Sequence, residues 1–176
     1  NTTAGVDCDG DSCTFRNNFI GMLPSDYNLS GQVFGIRLGA AAEGNSIGST
    51  TSGSANHIAN HSSGAGLYIT GSNTTAKGNR FGLSPGNAVR GNRFDIYITD
   101  DASSSDISEN TMAGAVDAVV VDQSAAGNPL GHGIRRNSIR TSKLGINLIP
   151  TGEGASAVTP NDAGDGDGGP NNLMNF

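Results

Sequence analysis

The chain repeats one short pattern, an asparagine followed two residues later by an apolar residue and often then by glycine. The copies are Asn18-Phe-Ile-Gly, Asn45-Ser-Ile-Gly, Asn79-Arg-Phe-Gly, Asn92-Arg-Phe-Asp, Asn110-Thr-Met-Ala and Asn137-Ser-Ile-Arg, with a weaker one at Asn60-His-Ser-Ser. They stand 27, 15, 19, 13, 18 and 27 residues apart. An irregular spacing near twenty excludes a rigid short-repeat helix and suits a solenoid whose coils vary in length. In a parallel β-solenoid, a residue repeated once per coil meets its own kind in the next. Stacked asparagines then satisfy one another's buried amides as a ladder, predicted here to comprise Asn18, Asn45, Asn60, Asn79, Asn92, Asn110 and Asn137.

Composition agrees with a thin interior. Only 35% of the residues are hydrophobic and 5% aromatic, with no Trp and with 27 glycines. No segment keeps a helical period, whereas short apolar runs alternate with polar residues, as in Gly66-Leu-Tyr-Ile-Thr and Asp95-Ile-Tyr-Ile-Thr. Each coil reads as strand, asparagine turn, strand, loop and strand, and roughly six to seven such coils fit the chain. Polar stretches at Ser49–Asn56, Ser84–Asn87, Ala102–Asp106 and Gln123–Gly131 read as loops leaving the stack. The predicted core includes Phe15, Ile20, Phe34, Ile36, Leu38, Ile47, Ile58, Leu67, Ile69, Phe81, Val89 and Phe94. It continues through Ile96, Ile98, Ile107, Met112, Val119, Val121, Ile134, Ile139, Ile146 and Leu148. The net charge is −6, and the ten Lys and Arg form no run, which argues against a nucleic-acid surface. No apolar segment reaches transmembrane length. The first residue is not Met and no signal peptide is visible, so the sequence is expected to be a mature or excised portion of a longer precursor.

Two stretches resemble a known family. "EGNSIGSTTSGSANHIANHSSGAGLYITGSNTTAKGNRFGL" resembles bacterial right-handed parallel β-helix repeat proteins of the pectate-lyase-like superfamily. "GIRRNSIRTSKLGINLIPTGEGASAVTPNDAGDGDGGPNNLMNF" is similar to the closing segment of such secreted proteins. The resemblance implies a right-handed parallel β-helix over residues 1–149, in which 1–13 form the N-terminal edge. Residues 150–176 would then be an irregular, acidic end-capping segment. It also implies an extracellular or cell-surface setting. It implies no single activity, because this fold hosts lyases, hydrolases, epimerases, adhesins and passive stalks.

Several constellations could carry chemistry. In Asp7-Cys-Asp-Gly-Asp11, the oxygens of Asp7, Asp9 and Asp11 resemble half of a calcium loop, although the distal Glu of a full motif is missing, and an acidic solvated turn is the plainer reading. Cys8 and Cys13, an even pair in a chain that the resemblance places outside the cell, are expected to form a small disulfide loop, with free or intermolecular thiols the alternative. Asp162, Asp165 and Asp167 could gather around Ca²⁺, or belong to a Gly-rich tail that covers the open end. Thr99-Asp100-Asp101, Gly131-His132-Gly133 and Arg140…Lys143 echo polygalacturonase-type hydrolases, but Asn73-Thr-Thr75 lacks the expected carboxylate. A lyase reading would draw Lys77, Arg80, Arg90 and Arg93 toward Asp95, Asp100 and Asp101. The candidate catalytic set is therefore Asp95, Asp100, Asp101, His132, Arg80 and Arg93, against the plain alternative of solvated charges on a sheet. His57 and His61 read as surface or turn residues.

These observations give a first functional expectation of a structural or adhesive β-helix module that contacts a polysaccharide or cell-surface glycan along one sheet face. The alternatives are an enzyme acting on an acidic polysaccharide and a filament subunit that associates through its solenoid ends or with neighbouring domains of a precursor.

Overall fold

In the computed structural model, residues 3–25, 31–123, 127–141 and 143–151 are described. Every described element is a β-strand. The first coil comprises β1 (Ala4–Cys8), β2 (Thr14–Phe15) and β3 (Phe19–Ile20), and the second β4 (Phe34–Leu38), β5 (Ser46–Ile47) and β6 (His57–Ile58). The third holds β7 (Ala65–Ile69), β8 (Thr75–Lys77) and β9 (Arg80–Phe81), and the fourth β10 (Phe94–Thr99), β11 (Asp106–Ser108) and β12 (Thr111–Ala113). The fifth holds β13 (Asp117–Asp122), β14 (Gly133–Arg135) and β15 (Ser138–Arg140), and β16 (Ile146–Ile149) opens a further turn. Corresponding strands pair in parallel into three sheets: A (β1-β4-β7-β10-β13-β16), B (β2-β5-β8-β11-β14) and C (β3-β6-β9-β12-β15). The molecule is a parallel β-solenoid of about five turns. At about 4.8 Å per strand spacing, sheet A rises roughly 24 Å along the axis.

The coil number corrects the expectation of six to seven. Successive sheet A partners Ala4, Phe34, Ala65, Phe94 and Asp117 lie 30, 31, 29 and 23 residues apart. The asparagine motif recurs more often than this because it marks more than one corner of the coil.

Four inward columns fill the interior. Sheet A supplies Val6, Ile36, Leu67, Ile96, Val119 and Ile146, and beside them Cys8, Leu38, Ile69, Ile98, Val121 and Leu148. Sheet B supplies Phe15, Ile47, Ala76, Ile107 and Ile134, and sheet C supplies Ile20, Ile58, Phe81, Met112 and Ile139. In the third coil the small Ala76 and the large Phe81 are both fully buried, so the interior keeps its density across a change of side-chain size. About four inward side chains per coil suffice, which is how so hydrophilic a chain holds a core.

Three core expectations are corrected. Val89 is 45% exposed, because it lies on an excursion after β9 that folds back through the Leu83–Val89 antiparallel bridge. Phe34 and Phe94 are half-buried on the outer face of sheet A. Alternation counted back from Ile36 turns Phe34 inward, but the strand departs from it. A Cβ built on Gly35 would stand 2.7 Å from Ile58 Cγ2, so Gly35 faces the interior and Phe34 turns out.

Candidate functional site on the outer face of sheet A

The three corners of the coil place most of the polar residues that the sequence singles out. Between sheets B and C runs a single asparagine ladder. Asn18 Nδ2 donates to Asn56 Oδ1 at 2.9 Å, Asn56 to Asn79 at 2.9 Å, Asn79 to Asn110 at 3.1 Å and Asn110 to Asn137 at 3.1 Å. From Asn56 onward each Nδ2 also donates to a backbone carbonyl of the preceding coil, those of Phe15, Ile47, Ala76 and Ile107. The residue before the asparagine takes positive φ in four coils: Asn17 (57°), Gly78 (68°), Glu109 (56°) and Arg136 (53°). A left-handed residue followed by asparagine thus makes the two-residue turn, and the carboxamide caps it.

Asn56 therefore belongs to this ladder, whereas Asn45, Asn60 and Asn92 stand elsewhere. Asn45 lies at the corner between A and B, where its Oδ1 accepts the Cys13 amide at 2.8 Å. Asn60, at φ 67°, follows β6 and donates to the Gly21 carbonyl at 2.7 Å. Asn92 lies between C and A, accepts the His61 amide at 3.1 Å and donates to Asp95 Oδ1 at 2.9 Å.

The fold divides the six candidate catalytic residues: Asp100, Asp101 and His132 fall at the A/B corner, Arg80 and Arg93 on the side of sheet C and the C/A corner, and Asp95 in the interior. Asp95 is fully buried inside the solenoid, at the strand position that glycine fills as Gly35 and Gly66. Its Oδ2 meets no donor, and burial pushes its carboxyl up to about 7. Asp100 and Asp101 form the turn after β10, and Asp101 Oδ1 accepts the Asn128 amide at 3.1 Å. His132 lines the A/B corner, 3% exposed, where its Nδ1 accepts the Ser105 amide at 3.3 Å. Burial lowers its imidazole to about 4, so it is neutral with the proton on Nε2. Arg80 lies on sheet C and donates to Asn87. Arg93 lies at the far edge of sheet A, its guanidinium 5.1 Å from the Phe94 ring centre.

The acidic N-terminal loop is tied to its neighbours by ion pairs and backbone bonds. Asp7 and Asp9 both reach Arg37, at 2.8 and 3.4 Å, and Asp11 Oδ1 accepts the Glu43 amide at 2.9 Å. Among the described residues, no three His, Cys, Asp or Glu side chains gather in a metal-holding group. A disulfide joins Cys8 and Cys13 and closes the loop between them. Asp162, Asp165 and Asp167, and with them nearly all of the end segment 150–176, lie outside the described residues. His61 is fully buried and not a surface residue, its Nδ1 2.9 Å from the Gln32 carbonyl oxygen and its pKa lowered by burial. Among the described residues no helix is long and apolar enough to cross a membrane.

The fold assembles one surface that sequence reading did not single out. Arg37, Tyr68 and Tyr97 are register partners on the outer face of sheet A. Phe34 stacks on Tyr68 at 4.3 Å between ring centres, Tyr68 on Tyr97 at 5.7 Å, and Phe94 tilts against Tyr97 at 5.2 Å. The row therefore crosses three consecutive coils. Its rings turn much of their faces to one another, so solvent meets ring rims and phenol hydroxyls. Tyr97 donates to Asp122. Burial raises the Tyr68 phenol, and the nearby Asp100 carboxylate adds to the shift; burial and the bond to Asp122 raise that of Tyr97. Both hydroxyls therefore stay protonated donors. Chemically, the face offers half-buried aromatic edges, the Tyr68 hydroxyl, the bonded Tyr97–Asp122 pair, the Asp100 carboxylate, and the Arg37–Asp7–Asp9 group at one end.

No protein-family model matches the chain, and neither does any curated protein or solved structure. The site is accordingly defined by its own geometry. Sequence could have shown it through Gly66-Leu-Tyr-Ile and Asp95-Ile-Tyr-Ile, each with a tyrosine at the outward step between two inward residues.

Proposed function

We propose that the protein is an extracellular structural or adhesive module, a rigid β-solenoid that holds a glycan along the outer face of sheet A. The observation that carries this reading is the aromatic row of Phe34, Tyr68, Tyr97 and Phe94, flanked by Asp100, Asp122 and Arg37 on a scaffold of paired strands. Sugars present C–H faces that pack on aromatic carbon and hydroxyls that bond to carboxylates, guanidinium and phenol. The coil spacing sets these groups out in a line, as an extended polymer requires. Carboxylates outnumber Arg37 on this face, so it favours an uncharged polysaccharide over a polyuronate. The extracellular setting draws on the resemblance to secreted β-helix proteins and on the disulfide, which suits an oxidising compartment.

Affinity electrophoresis through gels that contain neutral or acidic polysaccharides tests this reading. Retardation by at least one neutral polymer is expected, with loss of retardation in Tyr68→Ala/Tyr97→Ala. Absence of retardation across neutral polymers would overturn the glycan contact. New reducing ends or unsaturated products during incubation would replace the module with an enzyme acting on the polymer.

A further inference from the structure

Five of the ten basic residues lie on one side of the solenoid. Arg80 stands on sheet C, and Arg90, Arg93, Arg140 and Lys143 follow it on the last residue of sheet C or at the corner leading to sheet A. Backbone bonds fix their neighbourhood: the Arg90 amide donates to the Gly82 carbonyl, Gly114 to Arg140, Val116 to Arg93 and Lys143 to Val116. None of the five pairs with a carboxylate among the described residues, whereas Arg37, Lys77, Arg135 and Arg136 all do. The buried Nε of Arg80 and that of Arg90 meet no acceptor. In coils two to five the segments of this corner contain no Asp or Glu, and the neighbouring carboxyls are both buried, Asp95 bonded to Asn92 and Asp117 accepting the Leu144 amide.

The A/B corner is the reverse. Asp9 and Asp11 line it in the first coil, Glu43 in the second and Asp100 and Asp101 in the fourth, and Arg37 is the cation beside them. One edge of sheet A is thus acidic and the other basic, the acids standing in coils one, two and four and the bases in coils three and five.

We propose that copies of this chain associate side by side, with the basic C/A corner of one against the acidic A/B corner of the next. The chain carries its own charge complement on the opposite edge of the same sheet, which favours a second copy over an unrelated polyanion. Because the two faces differ, the contact is heterologous and leaves one face of each kind free, so it propagates as a ribbon and does not close as a dimer.

Sedimentation equilibrium tests this over a range of ionic strength. Average mass should rise with protein concentration at roughly 0.01 M salt and fall toward that of the single chain at about 0.15 M, as the screening length drops from about 30 to about 8 Å. The exposed pairs Arg93→Glu/Lys143→Glu and Glu43→Lys/Asp101→Lys should each weaken association by about tenfold or more. An equimolar mixture of the two variants should recover it, because each retains one native face and their altered faces are complementary. Circular dichroism on both variants establishes that they fold. A native chain that stays monomeric at low salt, variants that associate like the native chain, or a mixture that fails to recover would each overturn the proposal. Retention of a monomeric native chain on a sulfated polymer, lost in Arg93→Glu/Lys143→Glu, would overturn it in favour of a polyanion ligand.

Discussion

Asn79 shows how one buried amide is used. It is 1% exposed, donates to Ile47 O and Asn110 Oδ1, and accepts from the amide nitrogen and side chain of Asn56. Replacing it with alanine strands several of these groups away from water. Asn79→Ala should therefore lose about 3 kcal/mol in denaturant unfolding, while Asn18→Ala, at the exposed end of the ladder, should lose less than about 1 kcal/mol. Asp95 makes the opposite case, a buried carboxyl with an unmet oxygen. Its pKa rises from 3.8 to about 7 on folding, so between these pH values the folded chain keeps a proton that the unfolded chain has lost. Its contribution therefore falls as pH rises through that window, by roughly 4 kcal/mol in all. His132, lowered from 6.5 to about 4, acts in the opposite sense, and its contribution is lost as pH falls below about 6.5. The two slopes oppose each other in the native protein, and the Asp95→Asn difference curve separates them. That variant should gain stability above pH 7, by the order of 2 kcal/mol, and show no gain near pH 4. Thermal melts at several pH values check this. The asparagine pattern was legible in the sequence, and so was Asn56, since Asn56-His-Ile-Ala fits it; the polar run ahead of it hid the match by suggesting a loop.

At the scale of elements, turns and sheet faces separate. Gly82 has φ 64°, and a Cβ there would lie 1.9 Å from the Ala113 carbonyl oxygen of the next coil. Gly82→Ala should therefore cost several kcal/mol, seen as a large drop in Tm or as failure to accumulate folded protein, because backbone and not a mobile side chain must give way. The aromatic row tolerates change better. Tyr68→Ala should lose about 1 kcal/mol of cross-strand stacking while abolishing retardation by a neutral polysaccharide. Stability and binding therefore respond on different scales at Tyr68. Strand positions such as β7 and β10 follow from alternation in the sequence, but the outward turn of Phe34 and Phe94 does not. It arises from an inward glycine or aspartate beside each of them, a local break that period counting passes over.

At the scale of the molecule, each coil touches only the coils before and after it. Stability then accumulates along the axis, and the end coils, which have a neighbour on one side alone among the described residues, open first. Hydrogen exchange should show the slowest amides in β7 and β10 and faster exchange in β1 and β16. Uniform protection from end to end would contradict nearest-neighbour coupling. Charge is also arranged at this scale, with acids on one edge of sheet A and, on the other, bases that pair with no carboxylate among the described residues.

The repeat by itself determined that the chain forms a parallel β-solenoid with an asparagine turn, because periodic side chains can be buried and hydrogen-bonded only by stacking on their equivalents. It did not determine the number of coils, since one motif serves several corners and only strand register tells them apart. Nor could it show that Asp95 lies inside while Asp100 and Asp101 lie at a corner, or that Tyr68 and Tyr97 stack across coils. Those relations join residues about thirty positions apart, and only the length of each coil decides which of them meet.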